Sequence, residues 1–167
     1  NQFFHRNVVV VVSWRKRIYY LVIRELVMKI LAIVGSPRID GNTNCLVDKA
    51  LDEARSLGVE TEKVVLGQFN INGCQGHDNC GSFAACVQKD DMARILSDFA
   101  QADGVILATP VYYYDVSAQL KAFIDRNYFF YMHDRMPAAK VVGIIVVAAS
   151  AGIEDALHTI KKYIDCS

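Results

Sequence analysis

From Met28 onward, short apolar runs alternate with longer amphipathic runs, and this pattern leaves few folds open to the chain. The strand candidates are residues 29–34, 59–66, 105–109 and 141–148. The amphipathic runs predict helices at residues 44–57, 91–102, 117–131 and 153–164. Strands that alternate with helices form a parallel sheet through right-handed crossovers, with helices on both faces. We therefore predict a doubly wound α/β domain with three layers.

The segment 35–44 (GSPRIDGNTN) joins the first predicted strand to the first predicted helix. The first N–H groups of a helix lack internal partners and carry partial positive charge, so they favour an anion. Ser36, Thr43 and Asn44 add side-chain donors, and Arg38 adds a guanidinium suited to phosphate oxygens. This combination predicts a phosphate site. The alternative is an ordinary strand–turn–helix connection, in which Gly, Pro, Asn and Asp are common.

Two well-known phosphate loops do not fit this segment. A Walker A loop places a lysine after its second glycine, but Asn42 follows Gly41 here. The dinucleotide fingerprint G-x-G-x-x-G is also absent from the segment. The remaining interpretation is a monophosphate site that has its own arginine and hydroxyl groups.

A second segment predicts the other half of the same site. The apolar run 104–109 ends at Pro110 and is followed by Tyr112, Tyr113 and Tyr114. Open α/β sheets bind ligands beyond the carboxyl ends of their strands. We expect these tyrosines to form a wall for a flat ring; the alternative is that they are core or interface aromatics.

Three motifs in order resemble the NADPH-dependent FMN reductase family, most closely its iron–sulfur flavoprotein subgroup. The motifs are GSPR and GNT at 35–43, TPVY at 109–112, and SAQLKAFIDR at 117–126. The resemblance implies a flavodoxin-like fold with bound FMN. It places the FMN phosphate on the first loop, at Ser36, Arg38, Gly41, Asn42, Thr43 and Asn44. It places the isoalloxazine ring beside Pro110, Val111, Tyr112 and Tyr113, with Ser150 and Gly152 of a weaker third loop (ASAG, 149–152) nearby.

The resemblance also implies the activity. We expect an FMN-dependent oxidoreductase that passes reducing equivalents from NAD(P)H to a flavin, a quinone or another small acceptor. The flavin performs the redox chemistry, so no side chain is predicted as a catalytic acid or base. Two alternatives stay open: a one-electron carrier with an iron–sulfur cluster, and a non-enzymatic interaction module. The aromatic run 128–131 (YFFY) is a candidate interface for a homodimer or homotetramer.

Cysteines cluster between the second predicted strand and the second predicted helix. Cys74, Cys80 and Cys86 lie there with His77, a composition that suggests metal ligands. The iron–sulfur flavoproteins carry four cysteines at this spacing, and His77 replaces the second of them. A [4Fe–4S] cluster, a Cys₃His zinc site and a loop of free thiols all remain open. His133 and His158 lie among charged residues, and we expect them to be solvated.

Composition and the two ends of the chain give expectations about partners, cellular compartment and domain division. The formal net charge is zero, so nothing favours nucleic acid or an anionic membrane as a partner. The five cysteines, in an α/β pattern without a signal peptide, predict reduced thiols in the cytoplasm. Residues 1–27 are expected to be an extension outside the fold, and 28–167 a flavodoxin-like domain without its last strand and helix. In the alternative, residues 8–12 add a strand to the open sheet edge.

Overall fold

The computed structural model describes residues 8–14, 28–135, 137 and 139–165. The strands in this part of the chain are β1 (Val8–Trp14), β2 (Lys29–Val34), β3 (Glu60–Val65), β4 (Gly104–Tyr112), β5 (Asp115–Val116) and β6 (Val141–Val147). The helices are α1 (Asn42–Ser56), α2 (Met92–Gln101), α3 (Ala118–Arg126), α4 (Tyr128–Tyr131) and α5 (Ile153–Asp165). None of these helices is long and apolar enough to cross a membrane.

The central strands are parallel and lie in the order β6-β4-β2-β3. Counted along the chain from β2, this is the order 2-1-3-4 of a flavodoxin-like sheet. The predicted fold class is therefore confirmed. The strand order reverses between β2 and β4, so the carboxyl ends of these two strands mark the expected ligand site.

The outer edge of β6 is covered by β1. The two strands pair antiparallel, from Val8 opposite Val147 to Trp14 opposite Val141. Residues 1–27 were expected to lie outside the fold, whereas the structure pairs residues 8–14 with β6, as in the alternative in which residues 8–12 add an edge strand. An open edge presents unpaired N–H and C=O groups, and a run of valines suits such a position. The other residues of 1–27 lie outside the described part of the chain, and the predicted division at residue 28 stays a prediction for them.

Alternating residues of the sheet face two separate apolar layers. Leu31 and Ile33 of β2 belong to a large cluster that includes side chains of α2, α3 and α5. Ala32 and Val34, the neighbours that point the other way, pack in a second cluster with Val47 and Leu51 of α1. Because both faces are covered, the inner strands β2 and β4 read as nearly continuous apolar runs rather than as alternating ones.

Two elements differ from the predicted ones by more than two residues. The predicted helix 117–131 is divided into α3 and α4 at Asn127, whose side-chain Nδ2 donates to Phe123 O at 2.7 Å. The predicted strand 105–109 continues to Tyr112. It pairs with β6 as far as Pro110 and then turns back along β5 in a hairpin. Pro110 does not end the strand as predicted. It is the last residue of β4 that pairs with β6, and the strand continues beyond it into the hairpin.

Candidate functional site

An open pocket of about 530 Å³ lies at the carboxyl ends of β2, β4 and β6. Residues from three loops line it: Ser36, Arg38, Ile39, Asp40, Gly41, Asn42, Thr43, Pro110, Val111, Tyr112, Val147, Ala148 and Ala149. The structure thus brings together the first and second predicted loops. Most of the predicted cofactor residues are in this lining; Asn44, Tyr113, Ser150 and Gly152 are not.

The first loop is folded around the backbone carbonyl of Arg38. That oxygen accepts hydrogen bonds from Gly41 N at 3.2 Å, Ser36 Oγ at 3.3 Å and Asn44 Nδ2 at 2.8 Å. Asn44 is fully buried, and its amide is used to brace the loop. The prediction that Asn44 offers its amide to phosphate is therefore not supported by its placement in the structure.

The N-terminus of α1 opens into the pocket without a side-chain cap. Its N-cap is Gly41, which has no side chain to accept the first N–H groups, and the first turn contains no acidic residue. Asn42 and Thr43 of that turn line the pocket, and the side chain of Arg38 is exposed beside them. Asp40 is the lining residue whose charge opposes an anion. The free N–H groups, the helix dipole and Arg38 favour a phosphate here.

A buried serine joins the first loop to the second. Ser117, the N-cap of α3, donates from Oγ to Gly35 O at 2.7 Å and accepts from Leu120 N at 3.2 Å. Its backbone N–H donates to Thr109 Oγ1 at 3.0 Å. Gly35 must lack a side chain, because a Cβ there would lie 2.6 Å from the Ser117 hydroxyl. Sequence reasoning placed Ser117 in a motif but gave it no role; its position before a helical run was the available signal.

The second loop turns sharply at two tyrosines. Tyr113 and Tyr114 are the two residues between β4 and β5, and their φ values are 49° and 70°. Tyr112 lines the pocket, whereas Tyr113 is 98% exposed and outside the lining. The prediction that Tyr113 lies beside the ring is not matched by the lining of the pocket.

The third loop contributes different residues from those predicted. Val147, Ala148 and Ala149 line the pocket, whereas Ser150 is exposed and outside the lining. Gly152 has φ 88° and packs on the tyrosine turn, where a Cβ would lie 2.7 Å from Tyr114 Cα. The loop that was predicted at 149–152 therefore reaches the pocket through Ala149, and the cofactor contacts of Ser150 and Gly152 stay a prediction.

The cysteine loop is held by a buried ion pair. Arg126, at the end of α3, forms two hydrogen bonds with the Asp90 carboxylate, at 2.5 and 3.1 Å. The same guanidinium donates to Asn72 O at 3.0 Å and to Cys86 Sγ at 3.3 Å. Both charged side chains are inaccessible, at 1% and 0% exposure.

Electrostatics in this loop follow from that pair. Burial by itself raises the pKa of Asp90, but hydrogen bonds from Arg126 and from the N–H groups of Asn72 and Met92 outweigh it, so the pKa is lowered. Burial lowers the pKa of Arg126, yet the Asp90 bond and the nearby Cys86 raise it overall. Burial raises the pKa of the Cys80 thiol, with smaller contributions from Cys86 and Cys74.

His133 fixes the other end of the loop. Its Nδ1 lies 2.7 Å from Phe129 O and its Nε2 lies 2.8 Å from Phe83 O, inside the cysteine loop. The expectation that His133 is solvated is wrong, because α4 and the loop place carbonyl groups on both sides of the ring. Sequence could not show this, since Phe83 is 50 positions away.

The four candidate metal ligands are not gathered into a cage. Within the described residues, no group of three or more His, Cys, Asp or Glu side chains is placed to hold a metal ion. Cys86 faces Arg126, and the His77 ring packs edge-on against Phe83 with centroids 6.2 Å apart. A cluster at Cys74, His77, Cys80 and Cys86 therefore does not fit the loop in this conformation, and it stays a prediction.

The fold is flavodoxin-like, with an open pocket at the carboxyl ends of its strands. The chain belongs to the NADPH-dependent FMN reductase family, whose model matches residues 28–165. FMN is the cofactor and NAD(P)H the co-substrate of that family.

Relatives with curated names agree with the predicted subgroup. An iron–sulfur flavoprotein of Archaeoglobus fulgidus is 44% identical over 125 residues, which are 75% of this chain and 56% of that protein. An iron–sulfur flavoprotein of Methanosarcina thermophila is 39% identical over 100 residues, which are 60% of this chain and 52% of that protein. The chain spans about half the length of these relatives.

Solved structures support the fold. A structure titled RosB, with a bound 8-demethyl-8-formylriboflavin-5'-phosphate, matches with a TM-score of 0.67 and 21% identity, covering 83% of this chain and 59% of that one. The NAD(P)H:quinone oxidoreductase of Methanothermobacter marburgensis matches with a TM-score of 0.55 and 13% identity. The match covers 84% of this chain and 93% of that one. At these identities the likeness concerns the fold alone.

Proposed function

We propose that this chain is an FMN-dependent oxidoreductase that passes reducing equivalents from NAD(P)H to a small acceptor such as a flavin or a quinone. The uncapped N-terminus of α1 at the strand-order reversal carries this proposal, because it matches the phosphate of FMN in charge and position. The apolar side chains of Val111, Val147 and Ala148 in the same lining suit the flat ring. Family membership of residues 28–165 supports the choice of cofactor.

The residues have separate roles in this reaction. The N–H groups of Asn42 and Thr43, with Arg38, would hold the phosphate of FMN. Val111, Tyr112 and Ala148 would flank the ring and exclude water from its edge. FMN, when bound, supplies the hydride chemistry. In the net reaction the C4–H bond of the nicotinamide breaks, and its hydride with one solvent proton converts a quinone to a hydroquinone. No side chain of the lining is required as an acid or base.

Visible absorption and flavin titration of the purified full-length protein test the proposal. The expected result is a yellow protein that binds one FMN per chain and oxidises NAD(P)H when a quinone is present. Colourless protein that binds no added FMN would contradict the proposal and favour an interaction module instead.

An iron–sulfur electron carrier is the second candidate. The names of the relatives and the three thiols near His77 favour it, whereas the placement of those groups does not. Anaerobic reconstitution with iron and sulfide separates the two. Stoichiometric iron in the wild type, lost in Cys80→Ser, supports the carrier, and absence of bound iron supports a reductase that works through FMN alone.

We also propose a cytoplasmic location and a homo-oligomeric assembly for this protein. The cysteines at positions 45, 74, 80 and 86 are free thiols, which suits the reducing cytoplasm.

Tyr128 and Tyr131 stack with ring centroids 6.0 Å apart and are 41% and 62% exposed. We assign this pair to a homodimer or homotetramer interface, since interfaces are enriched in aromatic residues. A full-length protein that sediments as a monomer at high concentration would contradict that assignment.

A further inference from the structure

The guanidinium of Arg126 is not fully hydrogen-bonded within the described part of the chain. Its Nη1 and Nη2 both donate to the Asp90 carboxylate. Nη1 also donates to Asn72 O at 3.0 Å, and Nη2 also donates to Cys86 Sγ at 3.3 Å. Nε is buried and has no hydrogen-bond partner among the residues that the structure describes. An unmade hydrogen bond is costly in a buried charged group, so the free Nε–H marks a place that favours an acceptor.

This free N–H lies on the edge of the guanidinium that faces Cys86. In an arginine, the Nε–H is parallel to one N–H of Nη2, and the two form a fork that suits oxygen atoms. The other N–H of Nη2 lies at the end of the group that holds Asp90, so the bond to Cys86 Sγ comes from the fork. Sulfur is a weak acceptor. An oxygen atom carried by that sulfur would accept from the fork more strongly than the sulfur does.

Cys86 is the group through which such an oxygen atom would enter. It is half-buried, so a solute as small as a peroxide has access to its sulfur. The side chain of Arg126 is 1% exposed, so an acceptor bonded to Cys86 reaches the fork without opening the buried ion pair. A partly exposed cysteine beside a guanidinium is the usual setting of a peroxide-reactive thiol. Among the described residues, Cys86 belongs to no group of three or more side chains placed to hold a metal ion.

We propose that Cys86 is a site of oxidation by hydrogen peroxide or a small organic hydroperoxide, and that Arg126 binds the oxygen atom that the sulfur gains. The sulfur attacks one peroxide oxygen, so that an S–O bond forms while the O–O bond breaks. The sulfur loses two electrons, and the other peroxide oxygen takes up the thiol proton and leaves as water or alcohol. The product is a sulfenic acid, whose oxygen accepts from Nε–H and Nη2 of Arg126. This step requires no flavin, so it goes beyond the proposed function and is independent of it.

Stepwise addition of hydrogen peroxide to the purified full-length protein, without NAD(P)H, tests this proposal. The remaining thiols are alkylated, and each cysteine is followed by peptide mass spectrometry. Cys45 is the reference in the same molecule, because it is exposed on α1 and no arginine donates to its sulfur among the described residues.

We expect Cys86 to be oxidised at roughly tenfold lower peroxide than Cys45, the factor equivalent to one hydrogen bond to a charged group. The peptide that contains Cys86 should gain one oxygen atom in mass. Oxidation of Cys86 together with Cys45 or after it would overturn the proposal. A disulfide of Cys86 as the sole product would also overturn it, because no oxygen atom would then be held by Arg126.

Arg126→Lys separates the fork from the charge. A lysine ammonium keeps a positive charge beside Asp90 but lacks the planar pair of parallel N–H groups. We expect oxidation of Cys86 to need roughly tenfold more peroxide in this variant, with Cys45 unchanged. Circular dichroism shows whether the variant folds. Equal sensitivity of Cys86 in the folded variant and in the wild type would overturn the role of Arg126.

Thermal unfolding of the wild type is a second measurement that does not depend on that variant. Oxidation gives the buried Nε–H an acceptor, so Tm should rise by about 2–4 °C, the shift for one net hydrogen bond in a domain of this size. Cys86→Ser, treated with peroxide in the same way, should show no rise. A lower Tm after oxidation, or an equal rise in Cys86→Ser, would overturn the proposal.

A metal site in the loop would give a different result. Zinc ions, or ferrous iron with sulfide under anaerobic conditions, are added to the reduced protein before the peroxide. We expect Cys86 to be oxidised as in the untreated protein. Stoichiometric bound metal that protects Cys86 from peroxide would overturn the proposal.

Discussion

The hydroxyl of Ser117 donates a 2.7 Å hydrogen bond to the backbone carbonyl of Gly35, 82 positions earlier in the chain. Gly35 begins the first loop of the pocket, and Ser117 follows the hairpin that lines its other side. Ser117 is fully buried and also caps α3 through Leu120 N. Together with the pairing of β2 with β4 and the bond from Gly35 N to Ala108 O, this side chain, which is not in the pocket lining, fixes the first loop relative to α3.

We expect Ser117→Ala to lower the free energy of unfolding by about 1–3 kcal/mol, since it leaves a buried acceptor and a helix N–H without their partner. Urea unfolding measures this change. Ser56→Ala is the matched control, because Ser56 Oγ also donates to a carbonyl at 2.7 Å but is exposed. The control should change stability by less than about 0.5 kcal/mol. Equal losses in the two variants would show that burial of the Ser117 bond does not matter.

Arg38→Ala should weaken FMN binding by about 1.5 kcal/mol, the lower end of the 1.5–3 kcal/mol range for hydrogen bonds to charged groups. The lower end applies because the side chain is exposed in the structure. Flavin titration by fluorescence quenching gives the affinity. Arg94→Ala removes an exposed arginine on α2, away from the pocket lining, and should leave the affinity unchanged. An unchanged affinity in Arg38→Ala would remove Arg38 from the site.

The fold and the outline of the site were predictable from sequence because both depend on local patterns. Apolar runs of five to eight residues alternate with helical periodicity, and parallel strands place their following loops at one edge of the sheet. The strand ends predicted the first two loops in this way, the family resemblance added the third, and residues of all three line one pocket. Ligand-facing residues within a loop were less predictable. Asn44 was assigned to phosphate by residue type, yet its amide is satisfied by Arg38 O.

Contacts between distant segments were not predictable in the same way. The cysteine cluster left a metal site and a loop of free thiols open, and the structure pairs Cys86 with Arg126, 40 positions away. No local pattern encodes that contact, since Arg126 reads as an ordinary basic residue in the last turn of a helix. Residues 8–14 were likewise assigned to an extension because of the residues beside them in the sequence. Their partner in the sheet is the distant strand β6, which no local pattern indicates.

Arg126→Leu should lower the free energy of unfolding by about 3–5 kcal/mol, since it leaves the Asp90 carboxylate buried without its partner. Arg94→Leu is the control, because the Arg94–Asp98 pair is 3.8 Å long and Arg94 is 71% exposed. That change should cost no more than about 1 kcal/mol. Hydrogen exchange should also show faster exchange in residues 72–90 of Arg126→Leu alone. Equal effects of both variants would mean that the buried pair does not organise the loop.

Stability should depend on pH through Asp90. The pKa of this carboxyl is lowered in the folded state: burial opposes its ionisation, but the bond from Arg126 and two backbone N–H groups outweigh burial. A lowered pKa gives a stabilisation that is fully present above the ordinary value of 3.8 and is lost as the pH falls through the folded-state value. Urea unfolding between about pH 2 and pH 6 should therefore show a steep acid limb in the wild type. Asp90→Asn should be less stable at neutral pH and have a flatter acid limb, because this group no longer titrates. Parallel pH profiles for the two proteins would show that Asp90 does not carry the acid sensitivity.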